Sequence, residues 1–333
     1  MNRPDASNCG FTLIEVLVAL FITAGLAVLL VSLTSGTLKM WHRAQDAFTT
    51  DTEAKLVLDA LDRDLQTALF RENGANWLAV DVTSAPSLLV NHGWRVTGIT
   101  KPAASESLSL LPAEVGSEPA SIRDARFGFS GAWLRFFATN VESKGASNPG
   151  GSLPIALSYQ ISRRPVSGPV TASNPAAIRY TFFRSAVAND TTFLTGFDLS
   201  AAGYASSSSG APGARSARSL TNPSIADAIA SNVVDFGVWL YARSGAGDLV
   251  RIFPATASDV IHTARTGVEF PVVADVMIRL LSEEGARAIE SIEQGQASLL
   301  RPAGLSDAEW WWSVVMANSR VYVRRIQLVN RAS

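Results

Sequence analysis

The stretch Cys9-Gly10-Phe11-Thr12-Leu13-Ile14-Glu15, running into the apolar residues 16–33, decides how the rest of the chain is read. Residues 11–33 number 23, and about 20 apolar residues suffice for a helix to cross a bilayer. One carboxylate, Glu15, interrupts the run near its start. A charge at bilayer depth costs roughly 2.5–3.5 kcal/mol even on lenient scales, so a plain anchor has no reason to carry it. Glu15 therefore calls for a partner charge that arrives from elsewhere.

Other N-terminal signals fit this order of residues poorly. A secretory signal peptide has its small-residue cut site after the apolar core; here Gly10 precedes the core and no A-x-A site follows. A lipoprotein signal would place its cysteine after the run, whereas Cys9 lies before it. A simple signal anchor leaves Glu15 unexplained. The Lys and Arg count that orients membrane spans is small: Arg3 offset by Asp5 on one side, Lys39 and Arg43 on the other.

Gly10 followed by FTLIEVLVAL at residues 11–20 resembles the prepilin processing signal of type IV pilins and type II secretion pseudopilins. The resemblance implies a dedicated prepilin peptidase that cuts the Gly10–Phe11 bond and methylates the new amino terminus at Phe11. Glu15 then becomes an assembly residue that pairs with the amino terminus of a neighbouring subunit. The implied location is the inner membrane, crossed once, with the C-terminal domain in the periplasm and the subunit entering a periplasmic or surface filament. The processing signal outranks the small count of basic residues, which taken alone runs against this orientation. The implied partners are the peptidase, other pilins or pseudopilins and the inner membrane.

The net charge of the 333-residue chain is −1. A balance of that kind points to no nucleic-acid partner and no polybasic membrane surface. Cys9 is the one cysteine, and it leaves with the leader, so the mature chain would hold no disulfide. Many major pilins close a C-terminal loop with a disulfide, which argues against a typical major pilin.

Residues 11 to about 70 read as one long helix, with no proline between Pro4 and Pro86. In its second half Leu58, Leu61, Leu65 and Leu69 recur at spacings of three and four, which makes a core stripe. Asp59, Asp62, Arg63 and Asp64 are assigned to the other faces. Beyond it come strand patterns at 87–90, 107–111, 133–138, 155–163, 178–187, 233–243, 249–253, 271–281 and 320–329, with turn-rich loops at 143–151, 165–175 and 205–219. The alternation Arg179-Tyr180-Thr181-Phe182 suits a half-buried antiparallel sheet. Short helices are expected at 223–229, at 283–294 capped by Ser282, and from the capping box Ser306-Asp307-Ala308-Glu309 to about residue 317. The fold class is α+β, with a pilin-like long N-terminal helix packed on an antiparallel domain. Its expected parts are a leader at 1–10, a membrane or filament-core segment at 11–33, an amphipathic continuation at 34–72 and a globular domain at 73–333. This layout looks most like the large J-type minor pseudopilins.

No catalytic signature, cofactor motif or metal-ligand spacing is present in the sequence. His42, His92 and His262 are far apart and read as surface or capping residues. On a helix the adjacent Trp310, Trp311 and Trp312 spread over about 200° of arc. Trp311 and Val315 are expected in the core, Trp310 and Val314 beside them, and Trp312 near the surface. Its alternative role is an interaction surface, since exposed aromatics favour interfaces. Arg320, Arg324 and Arg325 read as a solvated face, or else as partners for acidic residues of another subunit. The expected function is that of a minor pilin or minor pseudopilin, a structural subunit and not an enzyme. The alternative is a minor pilin whose β-domain binds a glycan, DNA or a secreted substrate.

Overall fold

The structure, a computed structural model, describes residues 12–82, 132–139, 154–165, 178–205, 216–221, 223–255, 259, 261–265, 270–293, 301–305 and 307–328. The chain divides into two compact units, residues 1–49 and 50–333. The helix α1 (Leu13–Gln66) begins in the first and ends in the second.

In the first unit the segment Leu13–Leu38 is long and apolar enough to cross a membrane, with a mean hydropathy of 2.8 and none of it buried. Its three threonine hydroxyls close on the helix itself. Thr34 donates to the Leu30 carbonyl at 2.8 Å, Thr37 to that of Leu33 at 2.8 Å, and Thr23 to that of Ala19. Backbone-bonded threonines reduce the unmet polarity of the segment, which suits an apolar surrounding.

In the second unit the buried side of α1 starts at Ala54 and continues through Val57, Leu58, Leu61 and Leu65. The expected leucine stripe is therefore the packed face, although side chains become buried only some way past residue 34. Asp64 departs from expectation: it is buried among that stripe and not on an outer face. Its spacing from Val57 (i+7) and Leu61 (i+3) places it there.

Two antiparallel sheets follow. The larger has the order β5-β4-β3-β2-β1-β8, with β1 Leu78–Val82, β2 Ala132–Thr139, β3 Pro154–Pro165, β4 Ile178–Ala186, β5 Ala228–Ser231 and β8 Ile261–Ala264. The smaller has the order β10-β9-β6-β7, with β6 Val233–Arg243, β7 Leu249–Phe253, β9 Val273–Leu281 and β10 Ser319–Gln327. The sheets meet through Phe182 of β4 and Phe236 of β6, whose ring centroids are 4.8 Å apart.

The half-buried sheet expected from β4 is covered on both faces: Tyr180, Thr181, Phe182 and Phe183 are all buried. The second cover comes from the connection after β4, which contains the short helices α2 (Asn189–Thr195) and α3 (Ala202–Ala205) and a 3₁₀ turn at Ala217–Leu220. Three side chains of the sheet donate to the Leu220 carbonyl: Trp133 at 3.0 Å, Ser158 at 2.9 Å and Gln160 at 2.8 Å. Polar residues on that face are thus hydrogen-bonded to a covering segment, as buried polar groups must be.

The expected helix at 223–229 is one 3₁₀ turn, Ile225–Asp227, closed by a Ser224/Asp227 capping box and running straight into β5. The helices α4 (Glu283–Glu293) and α5 (Asp307–Ala317) stand where expected, and the Ser282 hydroxyl caps α4 by accepting from Gly285 N at 3.1 Å. The expected strands at 87–90 and 107–111, the loop at 143–151, most of those at 165–175 and 205–219, and Ser306 lie outside the described residues.

Candidate functional site

The head of α1 is built by two side chains. Thr12 is the residue before the helix, and Glu15 is in its first turn. The Thr12 amide and hydroxyl both donate to Glu15 Oε2 at 2.9 Å, and the Glu15 amide approaches Thr12 Oγ1 at 3.4 Å. This is a capping box: each side chain serves the other's backbone N–H, and two of the donors that a helix start leaves orphaned are satisfied. Thr12-Leu13-Ile14-Glu15 carries that signature in one dimension, but the membrane reading of Glu15 overshadowed it. Glu15 in the isolated chain is therefore not without partners. Thr12 supplies dipoles and no cation, and no cation pairs with Glu15 among the described residues. Gly10 and Phe11, where cleavage and methylation are expected, lie outside the described residues.

Trp312 does not form a surface. It is 4% exposed, stacked on Trp311 with ring centroids 5.9 Å apart, and the Arg279 guanidinium lies over its ring at 5.3 Å. Trp311 and Val315 are fully buried, and Trp310 and Val314 pack beside them. The expected exposure fails because α5 packs against α4 on one side and against the smaller sheet on another. Two residues a 100° step apart therefore both meet packed protein.

The C-terminal arginines lie on a largely solvated face, as expected, with Arg320 and Arg325 exposed and Arg324 half-buried, and each also pairs with a carboxylate of its own chain. Arg320 Nη1 lies 3.3 Å from Asp51 Oδ1, and the Tyr322 hydroxyl donates to the same oxygen. Arg324 Nη1 lies 2.6 Å from Asp59 Oδ1 and 3.8 Å from Asp62 Oδ2. Arg325 points to the opposite face of β10 and grips Asp275 with two hydrogen bonds of 2.7 Å. The spacings explain the match. Residues 320, 322 and 324 share one face and span about 13 Å of strand, and Asp51 to Asp59 is about 12 Å of helix. Burial first, then the hydrogen bond to Asp51, push the Tyr322 phenol up to about 12.

A second polar cluster, which no local sequence pattern announces, fixes the end of α1. Asp64 accepts from the Tyr159 hydroxyl at 2.6 Å and from Arg184 Nε and Nη2 at 2.6 and 3.0 Å. Burial, and after it the Asp64 charge, hold the Tyr159 phenol well above its ordinary value, so it stays protonated and donates.

His262, expected to be a surface or capping residue, is partly buried in the edge strand β8 beside Phe253 at 5.7 Å; burial lowers its pKa and favours the neutral ring. His92 and the side chain of His42 lie outside the described residues. Among the described residues there is no group of three His, Cys, Asp or Glu side chains placed to hold a metal ion.

Residues 5–34 match the family model for the prokaryotic N-terminal methylation motif. No curated protein matches the chain in sequence. Among solved structures, the type IV-like pilin TTHA1219 from Thermus thermophilus is similar with a TM-score of 0.28 and 11% identity, over 85% of this chain and 98% of that one. A likeness of that size carries no argument about this chain. The methylation motif heads a long apolar helix, and that helix runs into an antiparallel α+β domain. With these features the chain is type IV pilin-like. A motif of this class goes with prepilin processing and with association among pilins, and the apolar helix fits a membrane anchor.

Proposed function

We propose that the chain is a minor pilin or minor pseudopilin, with the layout of a large J-type minor pseudopilin, and that its work is structural, without catalysis. In this reading a prepilin peptidase cuts between Gly10 and Phe11 and methylates Phe11. The subunit then waits in the inner membrane with its larger unit in the periplasm. Assembly into a type II secretion pseudopilus or a type IV pilus brings the amino terminus of a neighbouring subunit to Glu15. One observation carries the reading: Glu15 is the sole ionisable residue in the exposed apolar segment Leu13–Leu38, at the head of a methylation-motif helix. Its charge costs free energy in lipid, and a neighbour's ammonium would offset that cost more strongly in low dielectric than in water. The alternative, a binding module for glycan, DNA or substrate, had Trp312 as its surface, and the burial of Trp312 removes that support.

The capping box dictates the test. Glu15→Ala removes both the charge and the cap, whereas Glu15→Gln removes the charge and keeps a residue that can cap at this position. Both variants are expected to be processed at Gly10 and to recover partner subunits poorly from membranes, with processing checked by mass spectrometry on the same samples. Normal partner recovery with Glu15→Gln and loss with Glu15→Ala would mean that Glu15 serves as a cap. Normal recovery with both would leave a plain membrane anchor.

A further inference from the structure

Within the larger unit, α1 buries its first side chain at Ala54, and the residue before it, Glu53, is half-buried. Glu53 faces the corner at which the chain leaves one sheet for the other. β5 ends at Ser231, β6 begins at Val233, and the residue between them, Asn232, has a φ of 59°. That left-handed conformation is uncommon outside glycine, though asparagine adopts it more readily than most residues. Two carboxylates converge on the corner from different elements. The Ser231 hydroxyl donates to Glu53 Oε1 at 3.4 Å, and Asn232 Nδ2 donates to Glu283 Oε2, at the start of α4, at 3.2 Å. The nearby cations serve α4. Arg179 of β4 pairs with Glu290 and lies 3.6 Å from Glu283, and Arg287 lies 3.3 Å from Glu283. Among the described residues no cation is paired with Glu53.

We propose that Glu53 is a proton-operated latch on α1: protonated, it lets the first packed turn close on the Asn232 corner, and ionised, it faces Glu283 there and loosens that turn. The physical basis is that a half-buried carboxylate without a cation loses solvation that the hydrogen bonds from Ser231 repay only in part. Burial, and after it the Glu283 charge, hold the Glu53 carboxyl above the usual carboxylate range against the lowering by Ser231. Because the folded value is the higher one, the closed turn keeps a proton that the open one releases. The stabilisation is complete below the ordinary carboxylate range and is lost as pH rises through the folded value. The latch ties the hold of α1 on its domain to the acidity around that domain, independently of how Glu15 acts.

The test is hydrogen exchange by mass spectrometry on the full chain in detergent micelles, from about pH 4 to about pH 8, with protection corrected for intrinsic exchange. Peptides covering residues 50–58 report the latch, and those covering 61–66 serve as the internal reference. In the wild type the opening constant at 50–58 is expected to rise with pH and then level. The rise is about tenfold for each pH unit by which Glu53 titrates above a free carboxylate. Glu53→Gln should make the opening constant flat across this window, and Glu283→Gln, which leaves Glu53 in place, should narrow the rise. A flat wild-type profile, a rise in Glu53→Gln equal to that of the wild type, or an unchanged rise in Glu283→Gln would each overturn the proposal. The last arm holds even if Glu53→Gln folds poorly.

Discussion

Replacing Asp64 with alanine, in a chain that begins at Lys39 and so lacks the apolar segment Leu13–Leu38, probes what holds the end of α1 to the larger sheet. Asp64 is 5% exposed and accepts three hydrogen bonds of 2.6, 2.6 and 3.0 Å. Alanine would leave the Tyr159 hydroxyl, which is fully buried, and the Arg184 guanidinium without their acceptor. Breaking a buried pair by deleting one partner costs about 3–5 kcal/mol, chiefly because a charge stays buried and uncompensated. The Arg184 side chain keeps 22% of its surface in solvent, so the loss belongs at the lower end, about 3 kcal/mol. A domain of this size loses about 2–4 °C of melting temperature per kcal/mol, which corresponds to a fall of about 6–12 °C. Tyr159→Phe removes two hydrogen bonds, the one donated to Asp64 at 2.6 Å and the one accepted from Arg184 Nε at 3.2 Å, and should cost about 2 kcal/mol. Once the phenol is gone the alanine variant has one orphan fewer, so the double variant should cost less than the sum of the singles, by about 1 kcal/mol. Urea denaturation followed by circular dichroism measures all three. A loss below about 1 kcal/mol for Asp64→Ala, where a buried pair should cost more, or strict additivity in the cycle, would refute the clamp.

Trp312→Ala should destabilise the same chain by about 3–5 kcal/mol, as for a buried aromatic; an unchanged denaturation midpoint would restore Trp312 to the surface. Tyr322 should remain protonated in an ultraviolet absorbance titration until pH approaches 12, and Asp51→Asn should bring its ionisation to lower pH. Because the folded value is the higher one, the stabilisation from Tyr322 is present below the ordinary tyrosine range and fades as pH rises through about 12. An ionisation that does not move in Asp51→Asn would show that the hydrogen bond to Asp51 is not what holds the phenol up.

The elements were legible where one periodicity dominates. The apolar run and the leucines at 58, 61 and 65 define α1 and its packed face from the amino-acid sequence alone, because helical burial is written at a spacing of three and four. The strand β6 was legible to the residue, Val233–Arg243, since a run of apolar and aromatic residues interrupted before Arg243 only by Asp235 and Gly237 has few other uses. Where expectation and structure part, a local pattern met a non-local cover. The alternation in β4 indicates one wet face, and a connection many residues later dries it. Trp312 sits 100° from Trp311 on its own helix, yet a neighbouring helix and sheet enclose both.

The ion pairs mark a deeper limit. Asp51, Asp59, Arg320 and Arg324 are ordinary surface charges in sequence, separated by more than 250 residues. They meet because four residues of extended strand and eight of helix have nearly the same length, and that coincidence matters only once β10 lies along α1. The same reasoning separates the two uses of Glu15. Its capping role is local, set by a spacing of three, and so is present in the single chain. The proposed assembly role would draw on a charge from another molecule, and among the described residues no cation pairs with Glu15. In the proposed reading, a side chain that satisfies its local role and pairs with no cation among the described residues takes a second partner without unfolding its own helix. Glu15→Gln, which keeps the first role and removes the charge that the proposed second role needs, is for that reason a sharper probe of assembly than Glu15→Ala.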